Sequence, residues 1–400
     1  MSKSIEALIK PKMLEWARRK IGFDLNGAAK RIGVAVEKLQ SWENGGEHPT
    51  IKQAIKIAEV YKRPLSLFYL NEPPKDFSAA TTDFRRFPDG ESSPPSPGLI
   101  WERRQAEIRR SLMLELAEND EGGHFPHLNS MQLDADPETS ADSIRSQLRI
   151  DWTTQRQWRH PDEALNGWKQ AIERQNALVF HTNHQGLTIN ESEARGFSMS
   201  APRFPLIVLN ASDAPRARIF TLLHEYAHLL LNTGGICDCW EHFSVQTLEH
   251  RIEVFCNRIA GAILVPAAVL LAHEIFQSNK RLDDWSNDEI AWLANDFVAS
   301  QEVILHRLLI LRRVSQSFYE KKREEYVKAY FEYKNKKSAE DVTSGFAPYF
   351  RMVLRRNGKP FTRSVLNSYY DKQITLADVA DYLGAKVKDV RKMEAELFSN

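Results

Sequence analysis

The sequence predicts a mainly α protein with an α+β centre, and three features carry that expectation. Short amphipathic segments separated by turn residues fill the front, brief apolar β-rich runs cluster in the middle, and a charged, helix-patterned tail closes the chain. At 400 residues the chain exceeds one ordinary core, so two or three domains are expected. Composition divides it into a front module over 1–72, a Pro-rich linker over 73–98, a connecting helix region over 99–138, a central domain over 139–311 and a helical extension over 312–400.

In the front module five helical patterns alternate with turn signals, at 13–19, 27–32, 36–43, 51–60 and 65–70. Net charge over the whole chain is only +1, yet residues 1–70 hold 13 Lys and Arg against 7 Asp and Glu. Positive charge therefore sits at the front, where an anionic partner would meet it. In the stretches NEPPKDF and DGESSPPSPG, prolines deny backbone donors and the apolar periodicity disappears, as in a linker. Residues 99–119 then place Ile108, Leu112 and Leu116 on one helical face.

The centre mixes element types. ALVFHT (177–182) and PLIVLN (205–210) read as strands, GFSMS (196–200) as a weaker one, and long helices are expected over 217–231 and 246–264. The tail is helical, its last part, 374–397, reading as two short helices joined at Gly384; no internal repeat spanning domains is evident. No run is long and apolar enough for a membrane span, no secretory leader is visible, and three cysteines cannot build a disulfide framework. A cytoplasmic protein without a membrane partner is the expectation.

The chemistry concentrates in TLLHEYAHLLLN (221–232). Residues four apart share a helix face, so His224 and His228 can direct both imidazoles at one metal ion while Glu225 stands next to them. The following helix offers Glu253 as a third ligand, with Asn257 one turn later to orient a ligand by hydrogen bonding. Zinc is the cofactor this donor set suggests, with Glu225 as general base on an acidified water and then as proton donor to a leaving amine. The preceding strand, 205–210, could pair with an extended peptide. Chance histidines on an amphipathic helix are the competing account, and the second helix weighs against it. His181, His184, His242, His250 and His306 read as surface or hydrogen-bonded core residues, and Cys237 and Cys239 as loop or packing thiols.

FTLLHEYAHLLLN (220–232) together with EVFCNRIAGAILVP (253–266) resembles the ImmA/IrrE family of metallopeptidases, and SQEVILHRLLIL (300–311) is similar to its closing helical segment. Cys256, Ile259 and Val265 depart from the family's usual Ala, Phe and Met at packing positions. The resemblance implies a gluzincin-like zinc endopeptidase domain with a small β-sheet that cuts a regulatory protein, often a repressor. GAAKRIGVAVEKLQSWENGGEHPT and the residues to Leu70 resemble the XRE, or Cro/C1, helix-turn-helix family. That likeness puts residues 36–43 in the DNA major groove with Lys38, Gln40 and Ser41 exposed, and nearby Lys and Arg on phosphates. Leu25, Val36 and Glu37 depart from the polar or basic residues usual there. A helix-turn-helix kept for homodimerisation or for docking a repressor is the other reading of this module. The whole chain likewise has a second reading: an antitoxin or transcriptional repressor holding a toxin, its metal site structural or vestigial.

Overall fold

Local capping chemistry sets the front helices. Helix α1 (Pro11–Lys20) starts on a proline whose missing N–H would have had no partner in the helix. The Asp24 carboxylate accepts from Gly27 N to start α2 (Leu25–Ile32), and Gly33, at φ 85°, ends it in the left-handed region. Helix α3 (Val36–Glu43) follows after three residues, and Thr50 with Gln53 forms a capping box for α4 (Ile51–Tyr61). The fifth expected helix is a short 3-10 turn, Leu65–Tyr69. Leu14, Ala28, Leu39, Trp42, Tyr61 and Phe68 close the core. Arg18 binds Glu43 through two bonds of 2.7 and 2.8 Å and donates to Phe23 O, tying α1 to the end of α3.

The computed structural model describes residues 5–74, 94–118, 128–182, 186–233, 236–237, 247–276, 282–339 and 348–398. Most of the Pro-rich stretch expected over 73–98 lies outside them, and α5 (Pro97–Glu118) begins inside its last two residues. Contacts separate a first unit, residues 1–107 with 185–189, from a second made of residues 108–184 and 190–400.

In the second unit α6 (Pro137–Leu148), α7 (Trp152–Gln157) and α8 (Pro161–Glu173) lead into β1 (Leu178–His181), β2 (Gly196–Met199) and β3 (Leu206–Leu209). Helix α9 (Pro215–Leu230), the two-residue β4 (Ile236–Cys237) and α10 (Leu248–Leu264) follow. The sheet runs β1-β3-β2-β4, with β1 parallel to β3 and the other pairs antiparallel. This corrects one expectation. The strand before α9 is β3, which is paired on both sides, so its hydrogen-bonding groups are already used and a peptide cannot add to it.

Pro266 follows α10, so the helix's last carbonyls need partners from elsewhere. Arg145 donates to Ile263 O at 2.7 Å, Gln155 to Leu264 O at 2.9 Å and Arg307 to Val265 O at 2.9 Å. Arg307 also holds Glu138 by bonds of 2.7 and 2.9 Å. Cationic side chains at a helix C-terminus also complement its dipole. Burial pushes the Arg145 pKa down to about 10, which still leaves it charged at neutral pH. Helices α11 (Ala267–Leu271), α12 (Asn287–Asp296), α13 (Gln301–Ile310) and α14 (Gln316–Ala339) come next. The chain ends with α15 (Tyr349–Asn357), α16 (Lys359–Tyr370), α17 (Leu376–Leu383) and α18 (Val387–Phe398). No described helix is long and apolar enough to cross a membrane.

Candidate metal centre

Helix α9 is buried on nearly every side from Arg218 to Leu230, packed between the sheet, α8 and α10. A helix so enclosed cannot turn its polar residues to water, and each needs a partner in the interior. Gly196 makes the approach to β2 possible: a Cβ there would lie 2.7 Å from Thr221 Cγ2, 2.9 Å from Val208 O and 3.6 Å from Glu225 Cγ.

His224 and His228 are buried on α9, with their Nε2 atoms 3.1 Å apart. Glu253, from α10, brings Oε2 to 3.3 Å from His224 Nε2 and Oε1 to 3.3 Å from His228 Nε2. Among the described residues these three form a group able to hold a metal ion. Zinc bonds of about 2.0–2.1 Å directed tetrahedrally would separate neighbouring donors by about 3.3 Å. The observed spacings fit such an ion, and two nitrogens with one carboxylate are the donor chemistry it takes.

The surroundings prepare the ligands. His228 Nδ1 lies 3.2 Å from Thr233 Oγ1, and that hydroxyl donates to His228 O at 3.3 Å. With its proton on His228 O, that hydroxyl would accept from the ring, the tautomer that carries the proton on Nδ1 and leaves the Nε2 lone pair for a metal. Burial alone would push the His224 pKa down, but the hydrogen bond and charge of Glu253, with Glu225 and Asn257, leave it raised. Burial likewise opposes ionisation of Glu253, yet the two histidines hold its carboxyl well below the usual carboxylate range. Glu225 is fully buried, and burial raises its pKa against the pull of His228, His224 and the Ser198 hydroxyl.

Of the residues expected from sequence, His224, Glu225, His228, Glu253 and Asn257 come together here. Thr233 and Ser198 were not expected. Thr233 sits in the turn after the helix, five residues past His228, where its nearness in sequence was the available signal; Ser198 is brought to Glu225 by the packing of α9 on β2, which no local pattern signals. Phe220 and Asn257 also line an adjoining cavity with Arg195, Glu302, Tyr319 and Arg323. His306 lines the same cavity with its ring tilted 47° to that of Tyr319, His181 is buried in β1, and His184, His242 and Cys239 lie outside the described residues. On α3, Lys38 and Gln40 are exposed, with Lys38 Nζ 5.8 Å from the Trp42 ring centre. Ser41 corrects the expectation: it is half-buried because the chain turns back over it, Gly46 N donating to Ser41 O at 2.9 Å.

Comparison with known proteins agrees with this geometry. Residues 173–309 match the profile of the IrrE N-terminal-like domain, and residues 14–68 that of a helix-turn-helix. A 71-residue stretch, 17% of this chain, is 34% identical to the radiation response metalloprotease IrrE of Deinococcus radiodurans and covers 22% of it. The protein of the same name from Deinococcus deserti is also 34% identical over 71 residues, covering 17% of this chain and 25% of the relative. The chain thus spans about a quarter of the length of either relative. With buried histidines, glutamates and sheet arranged as described, residues 173–309 are an IrrE-like domain of the metallopeptidase class, preceded in the same chain by an XRE-type helix-turn-helix domain at 14–68.

Proposed function

We propose that the protein is a zinc-dependent endopeptidase that cleaves a regulatory protein such as a repressor, brought to DNA or to that repressor by its front module. The convergence of His224 Nε2, His228 Nε2 and the Glu253 carboxylate, with the Glu225 carboxylate buried beside them, is the observation that supports this reading most directly.

His224, His228 and Glu253 would hold the ion, and Asn257 and Thr233 would orient the rings. Zinc bound there supplies Lewis acidity, polarising a peptide carbonyl and acidifying water. Glu225 does the proton work. Its carboxylate takes a proton from the attacking water and passes it to the departing amine, and its enclosure by α9 and β2 keeps bulk water from competing. The cavity next to Asn257 would receive a substrate side chain flanking the cut bond; Tyr319 and Arg323 of its wall come from α14, beyond the family domain. Tethering a DNA-binding module to a peptidase raises the local concentration of a repressor on the same operator.

The test is the zinc content of the purified full chain. About one ion per chain, lost in His224→Ala, is expected for a single set of three protein ligands that leaves one position open. No metal after chelator-free purification and zinc reconstitution would leave the reading of a toxin-holding repressor in place of the peptidase. A finer outcome concerns Thr233: Thr233→Val should lower zinc affinity about tenfold, as loss of a histidine's outer partner does. Competition with a chelating dye measures it, and an unchanged affinity would show that Thr233 does not orient His228.

A further inference from the structure

The end of the chain repeats the local geometry of the front helix-turn-helix. Helices α2 and α17 are each eight residues long, each is followed by a three-residue turn, and α3 and α18 each begin on a valine, Val36 and Val387. A side-chain oxygen caps the first helix in both cases, Asp24 onto Gly27 N and Thr375 onto Asp378 N. A left-handed glycine opens both turns, Gly33 at φ 85° and Gly384 at φ 57°. The next residue's N–H then returns to the same carbonyl position, Val34 to Ala29 O at 3.0 Å and Ala385 to Ala380 O at 2.8 Å.

Burial follows the same register. In the first helices the buried residues are Ala28, Ala29 and Ile32 in one, and Val379, Ala380 and Leu383 at the same positions in the other. In the second helices Leu39 and Trp42 correspond to Val390 and Met393. Asp389 is a departure, buried where Lys38 is exposed, with a 3.9 Å approach to Lys392. Only five of the nineteen positions from Leu25 and from Leu376 carry the same residue, so the repeat lies in side-chain burial rather than in identity and is not evident from the sequence.

What the second copy presents is more basic than what the first presents. In a helix-turn-helix the early residues of the second helix reach the groove. In α18 those exposed positions are Val387, Lys388, Arg391 and Lys392, preceded by exposed Lys386, whereas α3 offers Glu37, Lys38 and Gln40. Glu394 and Glu396, further along α18, are engaged by Tyr370 and by Arg351. Residues 348–398 hold ten Lys and Arg against six Asp and Glu.

We propose that α17 and α18 form a second DNA-binding helix-turn-helix, with α18 entering the major groove of duplex DNA and Lys388 and Arg391 contacting phosphates or guanine. The B-form major groove admits a helix, whereas that of A-form RNA is too narrow, and this selects the DNA duplex. Exposed Val387 suits a thymine methyl.

The test uses the full chain carrying Lys38→Ala and Gln40→Ala, so that the front module's contribution is held constant. Anisotropy of a labelled mixed-sequence duplex of about three helical turns is measured between about 50 and 200 mM salt. Lys388→Glu with Arg391→Glu should weaken binding at least about tenfold and make the log–log salt dependence shallower by about two. Lys321→Glu with Lys328→Glu, exposed on α14, makes the same change in net charge and should cost less than about threefold if contact is local. Circular dichroism and thermal melting check folding, and Lys388→Gln with Arg391→Gln should give an intermediate loss without introducing repulsion. Unchanged affinity in both α18 variants, equal losses in the α14 control, tighter binding to an RNA duplex, or no binding by the front-silenced chain at low salt would each overturn the proposal.

Discussion

Glu225→Gln is expected to keep about one zinc per chain while lowering cleavage by about 10²–10⁴-fold, the range that a positioned general base contributes. The amide has nearly the shape of the carboxylate, so it fits the fully buried space between α9 and β2. It also lacks the cost of an ionised group in that interior, which is what raises the Glu225 pKa. Folding should therefore be preserved. Metal retention follows because the Glu225 carboxylate is not among the three converging donors. Only proton acceptance is lost. New protein N-termini in cells expressing the wild-type chain, compared with cells expressing the variant, read the activity whichever protein is the substrate. Cleavage at the wild-type level would remove Glu225 from proton transfer, and a zinc-free variant would give it a ligand's role instead.

Glu253→Ala acts on the other half of the site. It removes both oxygens that approach the histidines at 3.3 Å and leaves two imidazoles as the sole donors of the group. Zinc affinity should fall by more than the roughly 10–100-fold expected for a change outside the ligand set. Elemental analysis after dialysis should then find little metal, and activity should vanish with it. Glu253→Gln, which keeps one oxygen but no charge, should fall between the two. A Glu253→Ala protein that holds zinc as the wild type does would exclude Glu253 as a ligand and point to another residue.

The parts of this site that are legible in the sequence are those with local causes. Two histidines four residues apart share a face in any α-helix, so His224 and His228 point to a shared target whatever packs around them. The front helices are readable for a similar reason: caps at Asp24 and Thr50 and the glycine at Gly33 act within a few residues. Even Gly384 marks the joint between α17 and α18, although what that joint resembles emerges only when buried positions are compared.

Helical periodicity and turn chemistry thus suffice for the helix-rich class, the two recognisable modules and the metal-binding pattern, because each depends on neighbours one turn away. The pairing of β3 on both sides, the approach of Ser198 to Glu225, and the capping of α10 by Arg145, Gln155 and Arg307 come from folding. Those partners lie up to 118 residues apart in the chain, as Arg145 and Ile263 do. No local pattern encodes such a meeting; it exists only where packed helices and strands bring a donor and an orphaned acceptor within bonding distance.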